Sequence, residues 1–342
     1  MHSDCVLNLP IFYLCGPTAS GKSSVALALA QRIGGEIVNA DAFQFYRGLD
    51  LCTAKPSAAE RAEVPHHLFD VLDANDVCDA QRFRELAESA IRDVLSRQRW
   101  PILVGGSGLY VKALTHGLAN LPKGDAALRA ELAEMSPEER VAELLRLDPA
   151  AASNVPLSND RYVSRALEIC RLTGQPQSQL RQQWQQNQPR FLGALLTRER
   201  DDLYQRINAR VLQMVEAGVV EEVWEFLESL GTTHGPTDID PSPSLTSLPS
   251  PDPRPPSLLS AIGVREIQAF LHGECSLDQA IDAMQQATRR YAKRQITWFR
   301  REQGFQTICL APESNPDFAT QCLIETFPCL CRPPQFAPSL SI

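Results

Sequence analysis

Gly16-Pro17-Thr18-Ala19-Ser20-Gly21-Lys22-Ser23 satisfies the complete G-x-x-x-x-G-K-[ST] spacing of a phosphate-binding loop. Such a loop turns successive backbone N–H groups onto phosphate oxygens, and the positive end of the following helix adds to the attraction. Lys22 brings a point charge, and Ser23 is the candidate ligand for Mg²⁺. The pattern specifies a polyphosphate without saying whose, and a nucleotide such as ATP is its default ligand. Asp41 follows a short apolar run and should face the same crevice. A carboxylate there can ligate Mg²⁺ in a kinase or take a proton from an attacking nucleophile, although a helix cap fits the local sequence too. Gly105-Gly106-Ser107-Gly108-Leu109-Tyr110 follows another apolar run. Its glycines permit close backbone approach to a ligand and Ser107 offers a hydroxyl, but a plain strand-to-helix turn reads the same way. No Walker-B aspartate ends that run, which argues against a motor-type ATPase. Arg289 to Arg301 carries six cations and no acidic residue, with Tyr291, Trp298 and Phe299 interleaved. That composition suits a phosphate backbone with unstacked bases, or an amphipathic helix with its aromatics turned inward. The adjacent His66 and His67 lack helical metal-pair spacing.

The elements needed to position these residues are legible. Ile11 to Cys15, Glu36 to Ala40 and Pro101 to Val104 read as buried strands. Ser24 to Ala30 and Ala80 to Arg97 read as helices, so strands alternate with helices as in a parallel sheet. Ligands bind at the carboxyl ends of such strands. Residues 11–122 form the first part of this core. Residues 123–190 change to helix after helix and read as an insertion. Residues 191–230 return to the core with a strand and a helix pair. The proline- and serine-rich stretch 231–257 cannot bury enough apolar surface to offset its ordering entropy and reads as a disordered loop. Residues 258–311 resume as helices, and 312–342 read as a weakly structured tail.

At 342 residues, the chain can bury a sizeable core. No apolar run reaches the ~20 residues of a membrane helix, and Met1 to Pro10 lacks a signal-peptide pattern, so a cytoplasmic protein is expected. The ten cysteines show no metal-ligand spacing and read as reduced thiols. A net charge of −8 argues against indiscriminate nucleic-acid binding while leaving room for a local basic surface.

Taken in order, the motifs resemble the tRNA dimethylallyltransferase (isopentenyl-tRNA transferase) family of the bacterial type. The resemblance runs from about residue 11 to 301. It rests on the P-loop, Asn39 to Tyr46, Thr53-Ala54-Lys55-Pro56, Pro65-His66-His67-Leu68, Gly105 to Tyr110, Arg165-Ala166-Leu167-Glu168, Ile262 to Glu266 and Lys293 to Phe299. It implies an α/β fold, a P-loop NTPase-like parallel sheet flanked by helices with an all-helical insertion. It implies a monomer that transfers dimethylallyl from dimethylallyl diphosphate, with Mg²⁺, to N6 of adenosine 37 in the tRNA anticodon stem-loop. The P-loop residues Gly16, Pro17, Thr18, Ala19, Ser20, Gly21, Lys22 and Ser23 would then hold the diphosphate leaving group. Asp41 would orient or deprotonate the adenine amine, and Ser107, Arg129 and Arg210 would complete the catalytic set. Contacts to tRNA would fall on Asp41, Ala42, Phe43 and Gln44, and on Arg161, Tyr162, Val163, Ser164 and Arg165. Further contacts would come from Ser260, Ala261, Ile262, Gly263, Val264 and Arg265, and from Lys293, Arg294, Gln295, Ile296, Thr297, Trp298, Phe299 and Arg300. The chain departs from the pattern at Ala42, where Ser is usual, at Cys52, where Gly is usual, and at Tyr162, often Arg. A small-molecule or nucleotide kinase shares the P-loop and Asp41 but has no need of the basic aromatic segment.

Overall fold

The computed structural model describes residues 9–118, 121–122, 124–185, 191–231 and 257–334. Six strands, β1 (Phe12–Cys15), β2 (Glu36–Asn39), β3 (His66–His67), β4 (Pro101–Gly105), β5 (Leu192–Arg198) and β6 (Gln306–Leu310), form one sheet. Its order is β3-β2-β4-β1-β5-β6 and every pairing is parallel. The register sets Phe12 beside Ile102 on one side and Leu192 on the other. β1, β2 and β4 are buried along their whole length, as a parallel sheet covered on both faces requires. This order places the carboxyl ends of β2, β4 and β1 side by side, so the loops that begin at Ala40, Gly106 and Gly16 open onto one crevice.

The helix Lys22–Ile33 buries Val25, Ala26, Leu29 and Ala30 along one face and stops at Gly34, which takes the left-handed conformation. It packs with Phe12, Leu14, Ile102 and Leu196 in the main core. The same core includes Leu323, Phe327 and Leu330 from the segment expected to be weakly structured. That expectation is corrected. Residues Pro316–Thr326 form a helix, with Asn315 accepting from the Phe318 N–H at 2.8 Å and Pro316 in the first turn. Its eleven residues carry a narrow apolar face that gains meaning only against the core. Two short strands also lie where the sequence marks none. His66 and His67 lie on an edge strand, and β6 interrupts a region expected to be helical throughout. Both are short and incompletely buried, so neither carries the apolar run that marks a central strand. The stretch 231–257 falls almost wholly outside the described residues.

The chain divides into two compact units, one of them Lys112–Pro189 and the other Asn8–Val111 with Arg190–Ile342. The first is helical, with Ala126–Glu134, Pro137–Leu147, Ala151–Asn154, Asp160–Thr173 and Gln177–Gln185. Leu144, Val155, Val163 and Ala166 form its own apolar core.

Candidate active site

Between β1 and the helix Lys22–Ile33 the loop bends through left-handed φ values at Ala19 (63°) and Gly21 (95°). Strain of that kind persists only when neighbours hold it. Two arginines from distant sequence do so. Arg206 Nε donates to Ala19 O at 3.0 Å, and Arg198 Nε to Ser20 O at 3.0 Å. Arg198 is itself fixed by Asp202 at 2.9 Å and by Ala311 O. On the inner side Thr18, Ala19, Lys22 and Ser23 line a cavity of about 340 Å³. Burial pushes the Lys22 ammonium down to about 8; the Asp41 carboxylate opposes the shift and the Arg210 guanidinium adds to it. Burial also lowers Arg210, with Asp41 again opposing. Lys22, Asp41 and Arg210 all line the cavity.

Asp41 sits in a turn defined on both sides. Its N–H donates to Asn39 Oδ1 at 2.8 Å, and its Oδ1 accepts from the Phe43 N–H at 3.2 Å. The Ser107 hydroxyl accepts from the Ala42 N–H at 3.1 Å, tying the loop after β4 to the loop after β2. Tyr291, whose hydroxyl is raised by burial and by the Asp41 charge, completes this wall. Beyond the charged groups, the lining turns apolar with Leu27, Phe69, Val211, Met214, Ile262 and Met284. The loop that carries Thr53 and Ala54 is locked by Lys55. Its buried ammonium has three N–H groups to share among four oxygens, Tyr46 O, Gly48 O, Asp50 Oδ1 and Asp70 Oδ1, all at 2.5–2.8 Å. Gln44 spends its amide on Thr53 O and Ala54 O. Cys52 donates to Ile262 O at 3.3 Å, and burial with Glu222 and Glu266 pushes its thiol up to about 12.

The glycines after β4 serve the protein itself. A Cβ on Gly106 would collide with the Gln295 amide and one on Gly108 with the Trp298 ring, so their smallness seats the helix Leu277–Phe299. That helix has two faces. Gln295 and Phe299 are buried and Trp298 is half-buried, whereas Lys293, Arg294, Thr297 and Arg300 are exposed. The aromatics therefore pack inward, and the outward surface is cationic. In the segment from Ser260 to Arg265, Ala261, Gly263 and Val264 are buried, and Ser260 and Arg265 are exposed.

Within the helical unit, Arg129 and Arg165 both reach Glu168, whose side chain is 1% exposed; Arg129 Nε lies at 2.9 Å. The Asp125 N–H donates to the same carboxylate at 2.8 Å, and Arg165 also donates to Pro122 O. Val163 is in that unit's core, and Arg161 and Tyr162 are exposed. Arg198 and Arg206 were missed by the sequence reading. Arg206 was within reach of it, because its spacing of four from Arg210 puts both on one helical face.

The IPP transferase family profile matches residues 44–302. The chain belongs to the IPP transferase family. The match begins after the P-loop and Asp41. The tRNA dimethylallyltransferase 1 of Citrifermentans bemidjiense is 43% identical over 296 residues, covering 86% of this chain and 90% of that one. The tRNA dimethylallyltransferase of Geobacter sulfurreducens is 42% identical over 299 residues, covering 86% and 89%. Among solved structures of the family, the tRNA isopentenylpyrophosphate transferase of Bacillus halodurans superposes with a TM-score of 0.64 at 34% identity, covering 94% of this chain and 96% of that one. A eukaryotic dimethylallyltransferase acting on tRNA reaches 0.73 at 25% identity, covering 92% and 78%.

Proposed function

We propose that this chain transfers a dimethylallyl group from dimethylallyl diphosphate to N6 of adenosine 37 in tRNA, releasing diphosphate. The observation that carries this reading is the composition of one cavity. Phosphate-binding cations, a carboxylate and an apolar wall share it, and these match the leaving group, the amine nucleophile and the hydrocarbon tail. The C1–O bond of the donor breaks as the N6–C1 bond forms, and the amine proton leaves toward Asp41. Lys22, Arg210 and the loop amides stabilise the charge that gathers on the departing diphosphate. Asp41, held by Asn39 and the Phe43 N–H, is pre-aimed, so orientation contributes along with basicity. Ser107 holds the Asp41 loop through the Ala42 N–H, which makes it a structural partner of the base.

A Mg²⁺ ion fits what is present. Ser23 is exposed at the cavity and offers a hard oxygen donor, while no cluster of three or more His, Cys, Asp or Glu among the described residues forms a complete cage. Magnesium is ordinarily held in this way, by one or two protein oxygens plus substrate phosphates and water. When bound, it would neutralise charge developing on the diphosphate. The exposed Lys293, Arg294 and Arg300 provide a cationic face for the RNA backbone. We assign the activity to the cytoplasm, with a single chain as the working unit. Among the described residues, no helix is long and apolar enough to cross a membrane. Incubation with dimethylallyl diphosphate, Mg²⁺ and a tRNA bearing adenosine at position 37 should yield N6-(dimethylallyl)adenosine by nucleoside mass spectrometry. Phosphate transfer from ATP with no prenylation would replace this reading with a kinase.

A further inference from the structure

Gln295 lies on the helix whose outer face carries Lys293, Arg294 and Arg300, yet its own side chain is 4% exposed. Its Oε1 accepts from the Thr18 N–H at 2.8 Å, and its Nε2 donates to Gly106 O at 3.1 Å. Only this orientation of the amide satisfies both partners, because the flipped form would set NH₂ against an N–H and oxygen against a carbonyl. Gly106 has no side chain at the point where Gln295 enters. One residue beyond Gly106, the Ser107 hydroxyl accepts from the Ala42 N–H, next to Asp41. A continuous polar chain therefore runs from the P-loop through Gln295 and the loop after β4 to the Asp41 turn. Buried amides with both ends satisfied are strongly directional, and a misfit end costs more than the bond itself contributes.

Resting on the function proposed above, we infer that Gln295 is a positioning residue, one that keeps the diphosphate cradle in register with Asp41 and makes no contact with RNA. The Thr18 N–H, committed to Gln295, is withdrawn from the phosphate-binding set, and the loop around it is fixed before donor arrives. Loss of the link lets the two loops move independently, and a displacement of about 1 Å at a reacting pair lowers a rate by up to about a hundred-fold.

The test compares wild type with Gln295→Met, which keeps length and loses both bonds, and Gln295→Glu, which keeps only the acceptor for Thr18. Rates are normalised to folded protein by circular dichroism and thermal unfolding. Gln295→Met should lower kcat ten- to a hundred-fold and weaken binding of inorganic diphosphate several-fold by calorimetry, with tRNA affinity within about two-fold of wild type. Gln295→Glu should fall between the two and recover as pH is lowered, since a protonated carboxyl donates to Gly106 O again. A kcat and diphosphate affinity per folded molecule equal to wild type in Gln295→Met would reduce Gln295 to a folding role and overturn the inference. A large loss of tRNA affinity at constant kcat would make it an RNA contact and overturn it equally. Wild type that binds diphosphate but prenylates nothing would sink the proposed function, and the diphosphate measurement alone would then decide the role of Gln295.

Discussion

Raising the pH from 7 to 9 should loosen the free enzyme's hold on dimethylallyl diphosphate, through Lys22. Burial at the cavity sets this lysine near 8, with Asp41 opposing and Arg210 assisting. An ordinary lysine, with a pKa above ~10, stays charged across that interval. A group with its midpoint near 8 falls from about nine-tenths charged at pH 7 to about one-tenth at pH 9. The cation is the form that holds diphosphate, so kcat/KM for the donor should decline about ten-fold as pH rises. Bound diphosphate adds negative charge beside Nζ and favours the ammonium, which moves the midpoint upward in the complex. The rate at saturation should therefore hold to higher pH than kcat/KM, which reports the free enzyme. Lys22→Arg separates this ionisation from every other one, because a guanidinium stays charged. Its kcat/KM should be lower at pH 7 and nearly flat to pH 9. The assay is initial-rate transfer of labelled dimethylallyl to tRNA at saturating tRNA and Mg²⁺. Parallel declines in wild type and Lys22→Arg, or a flat wild-type profile, would refute the assignment to Lys22.

Asp41→Asn keeps an oxygen for the Phe43 N–H and removes the base, so single-turnover transfer should slow at least ~100-fold while filter-binding affinity for tRNA stays within about two-fold. Burial alone would raise Glu168, but Arg165, the Asp125 N–H and Arg129 hold it below the usual carboxylate value. Its contribution to stability is therefore complete above the unfolded value, about 4.3, and is lost as pH falls below it. Glu168→Gln should lose about 2 kcal/mol at pH 7 by denaturant titration, below the ~3–5 kcal/mol of a fully buried pair because both arginines are partly exposed, and should lack that acid sensitivity. Cys52, raised to about 12, should escape iodoacetamide at pH 8 while the exposed Cys309, Cys329 and Cys331 are alkylated, as peptide mass spectrometry will show. Phe327→Ala should cost about 3 kcal/mol in chemical denaturation, because that ring packs edge-on against Phe12 with centroids 5.2 Å apart.

The strand, loop and helix spanning residues 12–33 were legible because their signals are local. An apolar run, a phosphate-loop pattern and a helical face follow one another without a gap. Asp41 was legible for a related reason, since it directly follows a strand of the same parallel sheet. The ties that give the loop its shape were not, because Gln295 and Arg206 lie 277 and 187 residues from the loop positions they hold. No periodicity reports a contact at that separation. The glycines after β4 show a second kind of failure. Glycine signals that something approaches the backbone closely, and sequence cannot say whether it is a ligand or the protein's own helix. Here it is the helix, through Gln295 and Trp298. In the segment from Arg129 to Glu168 two arginines meet one buried carboxylate, a pairing across the helical unit that no local pattern announces.

The basic segment 289–301 reconciles an acidic chain with an RNA substrate. Of its two readings, the structure bears out the amphipathic helix with aromatics turned inward, and the outer face of that helix carries the cations that the other reading needs. At 3.6 residues per turn, Lys293, Arg294, Thr297 and Arg300 fall on the solvent side, while Ala292, Gln295 and Phe299 fall on the core side. The aromatics therefore anchor the helix, and the cations are displayed from a fixed base. A net charge of −8 describes the whole surface, whereas the potential that RNA meets is set within about a Debye length, ~8 Å at physiological salt. The same helix lines the cavity through Tyr291 and Arg294 and holds the P-loop through Gln295. An RNA backbone seated on its outer face would thus be referenced to the same rigid element as the diphosphate, which is what an in-line attack between two separately bound substrates needs.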